Sequence, residues 1–154
     1  MCTLVLAWQA VADAPVVVAA NRDEAADRPS EPPGVYRSEP QAIAPRDARA
    51  GGTWIGYNEA GLFVGITNRW VDRAGERSRG QLVADCLGCE SADAAVDTVE
   101  RAVAADSYAG FNLVVADAAR ATLLEWDGDL GVTDFEPGVH VVVNVGADGA
   151  SFEP

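Results

Sequence analysis

"MCTLVLAW", residues 1–8, decides how the rest of the chain is read. Cys2, Leu4, Leu6 and Trp8 fall on one side of an extended chain, so that side of a first strand is expected to be buried. Cys2 then sits at the open end of the buried side, where a cleft can form. Trimming of Met1, which a small second side chain permits, makes Cys2 the first residue. Its thiol then has a free α-amine within its own residue, and the ordinary pKa values of the two groups lie close together. The amine can take the thiol proton and later deliver it to a leaving group, with no histidine required. On position alone a second reading stands beside this one, a cysteine serving as a small apolar residue in a strand.

Working outward, "APVVVAAN" (14–21) reads as a second strand, joined to the first by the turn "QAVADA". Residues 22–52, "RDEAADRPSEPPGVYRSEPQAIAPRDARAGG", are proline-rich, polar and without periodicity, which predicts a long functional or flexible loop. "GTWIGYN" and "GLFVGITN" form a second hairpin around Glu59 and Ala60. "ERSRG" leads into a helix with Leu82, Val83, Cys86 and Leu87 on one face, and Ser91 caps another carrying Val96, Val99 and Val103. Three strands follow in "GFNLVVAD", "ATLLEW" and "GVHVVVNV", with a further short one near "LGVTDF". Strands, a helix pair and strands again predict an α+β fold of antiparallel sheets with helices packed against a face. One helix pair is little cover for so many strands: either the fold is small, or residues 1–154, read as a single domain, are the front portion of a longer one.

The 154 residues contain 24 acidic and 11 basic side chains, for a net charge of −13. Every basic residue is arginine. Such acidity opposes binding to nucleic acid and to anionic membranes. It also fits a high-salt cytoplasm, where charges are screened within a few ångströms, so a halophilic source is expected. No segment is apolar for the roughly 18 to 20 residues that membrane insertion requires, and the start has no basic leader, which predicts a cytoplasmic protein. Cys86 and Cys89 form a lone C-x-x-C; zinc would need further ligands, and two incidental thiols at a helix end is the better reading. P-loop, G-x-G-x-x-G and G-x-S-x-G signatures are lacking, so neither a metal nor a cofactor is expected.

"NRDE", Asn21 to Glu24, closes the second strand and therefore lands beside Cys2. Arg22 supplies a cation for a thiolate, and Asp23 can orient the α-ammonium. The same four residues would also serve as a solvated strand exit. Asn68 and Asn144 end two later strands, where side-chain amides can stabilise a developing oxyanion or simply make turns. His140 shares a strand face with Asn144 but lies four residues away, roughly 13 Å along a strand. If Asn144 faces Cys2, His140 does not, and a structural histidine is expected. Arg22, Arg69 and Arg73 are the candidates for holding an anionic ligand.

"MCTLVLAW", "ANRDE" and "GGTWIGYNEAGLFVGITNR" together resemble the NRDE family, that of transport and Golgi organisation protein 2. The resemblance runs from Met1 to about Gly146. It implies an N-terminal-nucleophile (Ntn) hydrolase fold, an αββα sandwich whose first processed residue sits at the cleft, and a chain continuing beyond Pro154. "NEAGLFVGITN" is also similar, more distantly, to a segment of the choloylglycine hydrolase and penicillin V acylase group. That likeness puts Asn68 at an oxyanion-hole position and makes Asn144 the second. It breaks at the arginine–aspartate element, which that group spaces three residues apart and this chain has adjacent, as Arg22 and Asp23.

The expected function is a cysteine amidohydrolase or acyl hydrolase acting on a linear amide or acyl bond of a small molecule. Cys2, Arg22, Asp23, Asn68 and Asn144 are its catalytic set, with Asn21, Arg69 and Trp70 contacting substrate. The alternative is a non-catalytic carrier on the same fold. The family is associated with haem movement and with lipid or acyl-coenzyme A metabolism, so a haem-like ligand or an acyl lipid would be the cargo.

Overall fold

The structure is a computed structural model describing residues 1–149; residues 150–154, with the "SFEP" ending of the expected domain, lie outside the described residues. The chain begins with a hairpin of β1 (Thr3–Val11) and β2 (Ala14–Asn21). Next come β3 (Ser30–Ser38), β4 (Gln41–Asp47), β5 (Ile55–Asn58) and β6 (Phe63–Asn68). Helices α1 (Arg79–Cys86) and α2 (Ala92–Ala105) lead to β7 (Phe111–Ala116), β8 (Ala121–Trp126) and β9 (Leu130–Asp134). β10 (Gly138–Val143) and the short β11 (Gly146–Ala147) complete the order.

These strands make two antiparallel sheets, one ordered β11-β10-β1-β2 and the other β3 through β9 in sequence. The alternation of "MCTLVLAW" explains the seam between them. Leu4, Leu6 and Trp8 point from β1 onto Phe63, Val114 and Leu123 of the larger sheet. Gly65 permits the close approach, since a Cβ there would stand 2.6 Å from the Leu4 Cδ1. On the other face of the larger sheet, Leu82 and Val83 of α1 and Val96 and Val99 of α2 cover Phe111 and Leu113. Ser78 and Ser91 cap the two helices, accepting from the backbone N–H groups of Gly80 and Ala94. The α+β sandwich of antiparallel sheets is as expected. Among the described residues its layers run helix, sheet, sheet, which is three of the four anticipated.

Two expectations need correction. Residues 22–52 are not a loop, because β3 and β4 pair across most of their length. β3 is the edge of the larger sheet and is largely exposed, so no buried face imposed a period-two pattern on it. Its prolines, Pro32 and Pro33, occupy a register shift between Glu31 and Gly34, where an edge strand can do without the missing N–H. The first turn is also tighter than "QAVADA". β1 continues to Val11 through a register shift beyond Trp8, and Gln9 and Asp13 adopt φ of 52° and 63°.

Candidate active site

Strand register alone brings distant residues to Cys2. Thr3 pairs with Asn21 on one side and Val143 on the other. One step before Thr3, Cys2 therefore lies between the chain leaving β2 and the chain leaving β10. Asn144 and Asp23 close on it from these two sides. The Cys2 backbone N–H donates to Asn144 Oδ1 at 3.0 Å, and the Asp23 N–H donates to Cys2 Sγ at 3.3 Å. Met1 projects outward; its ammonium pairs with the Asp23 carboxylate, and its carbonyl accepts from Asn21 Nδ2 at 3.1 Å.

Asn144 is itself held. Its Nδ2 donates to the Asn68 carbonyl at 2.7 Å, and its carbonyl accepts from the Trp70 N–H. Beneath it, Asn112 Nδ2 donates to the Val143 carbonyl and to Thr67 Oγ1, while Arg69 Nη1 donates to Asn112 Oδ1. This buried ladder ties the ends of β6, β7 and β10 together. Asn112, wholly buried in β7, was missed by sequence reasoning. Its only signal was a polar residue interrupting the apolar run "FNLVVA".

The cleft over Cys2 has a volume of about 310 Å³. Of the residues anticipated there, Cys2, Asn21, Arg22, Asp23 and Asn68 line it. Asn144, Arg69 and Trp70 do not; Asn144 meets the backbone nitrogen of Cys2 instead. The Arg69 guanidinium turns away to Glu125 Oε1 at 2.7 Å, and Trp70 is exposed outside the lining. Arg73 lies over the Trp126 ring. Both arginines therefore leave the patch expected for an anion. Three unanticipated arginines, Arg28, Arg77 and Arg79, line the cleft instead.

One wall of the cleft is an ion cluster on Asp47. Its Oδ2 accepts from Arg28 Nε at 2.7 Å and from Arg22 Nη2 at 3.4 Å, while Oδ1 accepts from the N–H groups of Arg49 and Ala50. Burial alone would raise the Asp47 pKa, but these donors outweigh it and hold the carboxyl below its ordinary range. Arg22 also lies 4.0 Å over the Trp54 ring. Its cation is thereby fixed at the rim.

His140 is far from this chemistry. It pairs with Leu6 across the sheet, stacks on Phe135, and bonds Asp148 Oδ2 through Nδ1 at 2.6 Å. A structural role is what the strand geometry anticipated. Cys86 is a buried core residue, and Cys89 contacts Thr98 Oγ1.

A family model described as Transport and Golgi organisation 2 matches residues 1–150. The Bos taurus Transport and Golgi organization protein 2 homolog is 32% identical over 111 residues, 66% of this chain and 38% of the relative. The Homo sapiens homolog is 28% identical over 139 residues, 84% of this chain and 50% of the relative. The chain thus spans 38% to 50% of the length of these curated relatives. Among solved structures, a Caenorhabditis elegans N-acylethanolamine-hydrolyzing acid amidase ortholog superposes with a TM-score of 0.66 at 14% identity, covering 94% of this chain and 70% of that one. The C2A mutant of conjugated bile acid hydrolase from Clostridium perfringens gives 0.61 at 14% identity, covering 90% and 52%. At such identities the likeness is one of fold, and the fold is that of the Ntn hydrolases.

Proposed function

The chain belongs to the Transport and Golgi organisation 2 family, and on that premise we propose that its cleft is the active site of a cysteine amidohydrolase or acyl hydrolase. The observation that carries this reading is the double hold on Cys2, its nitrogen on Asn144 and its sulfur against the Asp23 N–H. With Met1 removed, the Cys2 nitrogen becomes the α-amine, and the Asp23 carboxylate that pairs with the Met1 ammonium is close by to orient it. The amine takes the thiol proton as sulfur attacks the carbonyl carbon of a linear amide or acyl bond. Asn68 stabilises the oxyanion, with Asn144 holding the amine. Collapse of the tetrahedral adduct expels the leaving group, which takes the proton from the α-ammonium and leaves a thioester. Water then attacks the thioester, releasing a carboxylic acid and restoring the thiol. In this scheme Arg22 and Asn21 contact substrate, while Trp70 acts through Asn144 and Arg69 through Asn112. The acidic, lysine-free composition supports a cytoplasmic, high-salt setting for the reaction, and no helix among the described residues is long and apolar enough to cross a membrane.

Intact mass after incubation with an activated acyl amide tests the reading. It requires loss of Met1 and gain of one acyl group, with no gain in Cys2→Ala. Retention of Met1 would defeat it, because Cys2 would have no free amine.

A second reading has its own observation. An apolar groove of about 560 Å³ lies between β2 and the β4–β5 region, lined by Val16, Val18, Ile43 and Phe63, and it meets the cleft at Ile55. A non-catalytic carrier of haem or an acyl lipid would use it. Cys2→Ala would then leave ligand affinity unchanged, and no acyl-enzyme would be trapped.

A further inference from the structure

The cleft is a basic exception on an acidic chain. Arg22, Arg28, Arg77 and Arg79 line it against three carboxylates, Asp23, Glu24 and Asp47, whereas the whole chain carries −13. Three of these arginines are committed to carboxylates. Arg22 and Arg28 share Asp47, and Arg77 bridges Asp85 and Asp106. Arg79 is different. Its Nη1 donates to the Gly110 carbonyl at 2.8 Å, and among the described residues no carboxylate lies within ion-pair distance of it. Glu24, the acidic group that bears on it most, is occupied with Arg22 and the Ala25 N–H.

Arg79 is also held in place. It opens α1, and the next residue, Gly80, accepts from the Thr53 N–H at 3.1 Å. Gln81 adds a bond from its side chain to the Ala50 carbonyl. Burial pulls the Arg79 guanidinium below its ordinary range, with the influences of Glu24 and Cys2 opposing. A half-buried cation without a counter-ion, anchored through one arm, has the rest of its planar fork available for a two-oxygen anion.

We infer that Arg79 is the anion receptor of the Cys2 cleft, so that the molecule bound there carries a carboxylate or phosphate-like group beside the bond that Cys2 addresses. This rests on the reading of the cleft as a substrate site. It excludes wholly neutral amides as preferred ligands.

The test is equilibrium binding to the Cys2→Ala chain, which removes turnover. The probes are N-hexanoylglycine, its neutral carboxamide, and the phosphonate analogue of the acid. The expected result is that one or both anions bind at least about tenfold tighter than the carboxamide, the scale of a charge-assisted pair. Adding Arg79→Gln should abolish that preference while the carboxamide affinity stays within about twofold, and Arg79→Lys should restore part of it. The stronger of the two anions identifies the class. Equal binding of all three probes, or a preference that survives Arg79→Gln in a chain with an unchanged melting temperature, overturns the inference. Failure of the hydrolase reading is a separate result: the wild-type chain would form no acyl-enzyme while the charge preference persisted.

Discussion

The side-chain oxygen of Asn144 accepts a hydrogen bond from the backbone nitrogen of Cys2 at 3.0 Å, across a sequence separation of 142. Asn144 is 2% exposed, and its amide also donates to the Asn68 carbonyl. Asn144→Ala therefore leaves a donor and an acceptor unmatched. A loss of about 1–3 kcal/mol in stability is expected, measured by urea denaturation. Labelling of Cys2 by an acylating probe should slow by about a hundredfold, the scale of a disturbed general base, because the nitrogen that takes the thiol proton loses the acceptor that orients it.

Asn112 acts one layer further back. Asn112→Leu preserves bulk but removes the donor to Val143 and the acceptor for Arg69. The probe reaction should slow while the chain stays folded, because β7 keeps its ladder with β6 and β8. An unchanged labelling rate would show that the end of β10 needs no such support.

Gly52 sets the position of α1. A Cβ on it would fall within 2.6 Å of the Gly80 carbonyl oxygen and closer still to its carbon, and backbone cannot yield as a side chain can. Gly52→Ala should move the start of α1, cost about 1–3 kcal/mol, and weaken anion binding in the cleft. Calorimetry and probe titration on the same preparation measure both effects.

Asp47 predicts an acid limit for the cleft. Its pKa is depressed in the folded chain, since the donors from Arg28, Ala50 and Arg49 outweigh burial. The stability it contributes is present above the ordinary carboxylate value of about 3.9 and is lost as pH falls through the lower folded value. Asp47→Asn should therefore lower the melting temperature at pH 6, and its deficit should shrink as pH falls below the ordinary carboxylate value.

His140 runs the other way. Burial lowers its pKa, but the bond to Asp148 and the Glu136 carbonyl raise it by more. Its contribution is full below about 6.5 and disappears as pH rises through the raised folded value. Because Asp148 is half-exposed, the effect should stay below about 1 kcal/mol. His140→Gln should narrow its stability deficit between pH 6 and pH 9, with no change in Cys2 labelling at any pH.

The parts of the fold legible in sequence are those whose burial leaves a period. Leu4, Leu6 and Trp8 announce β1, and Leu82, Val83 and Cys86 announce α1, because one face of each is dry. β3 was illegible because an exposed edge strand has no dry face, and its prolines mimic a loop. The same distinction divides the cleft. Asn21, Arg22 and Asp23 follow from a hairpin placing its ends side by side. Arg79 does not, because it comes to line the cleft only through the docking of the Gly80 backbone on Gly52 and Thr53, a contact between glycines that leaves no side-chain pattern.

The separation between Cys2 and Asn144 also puts the site on a clock. A ribosome adding about 5–20 residues per second takes roughly 7 to 28 s to travel that stretch of chain. Through that interval the nascent chain carries its cysteine without the residue that holds the adjoining nitrogen. Completion of the contacts around Cys2 is thereby deferred until β10 has been made and docked beside β1.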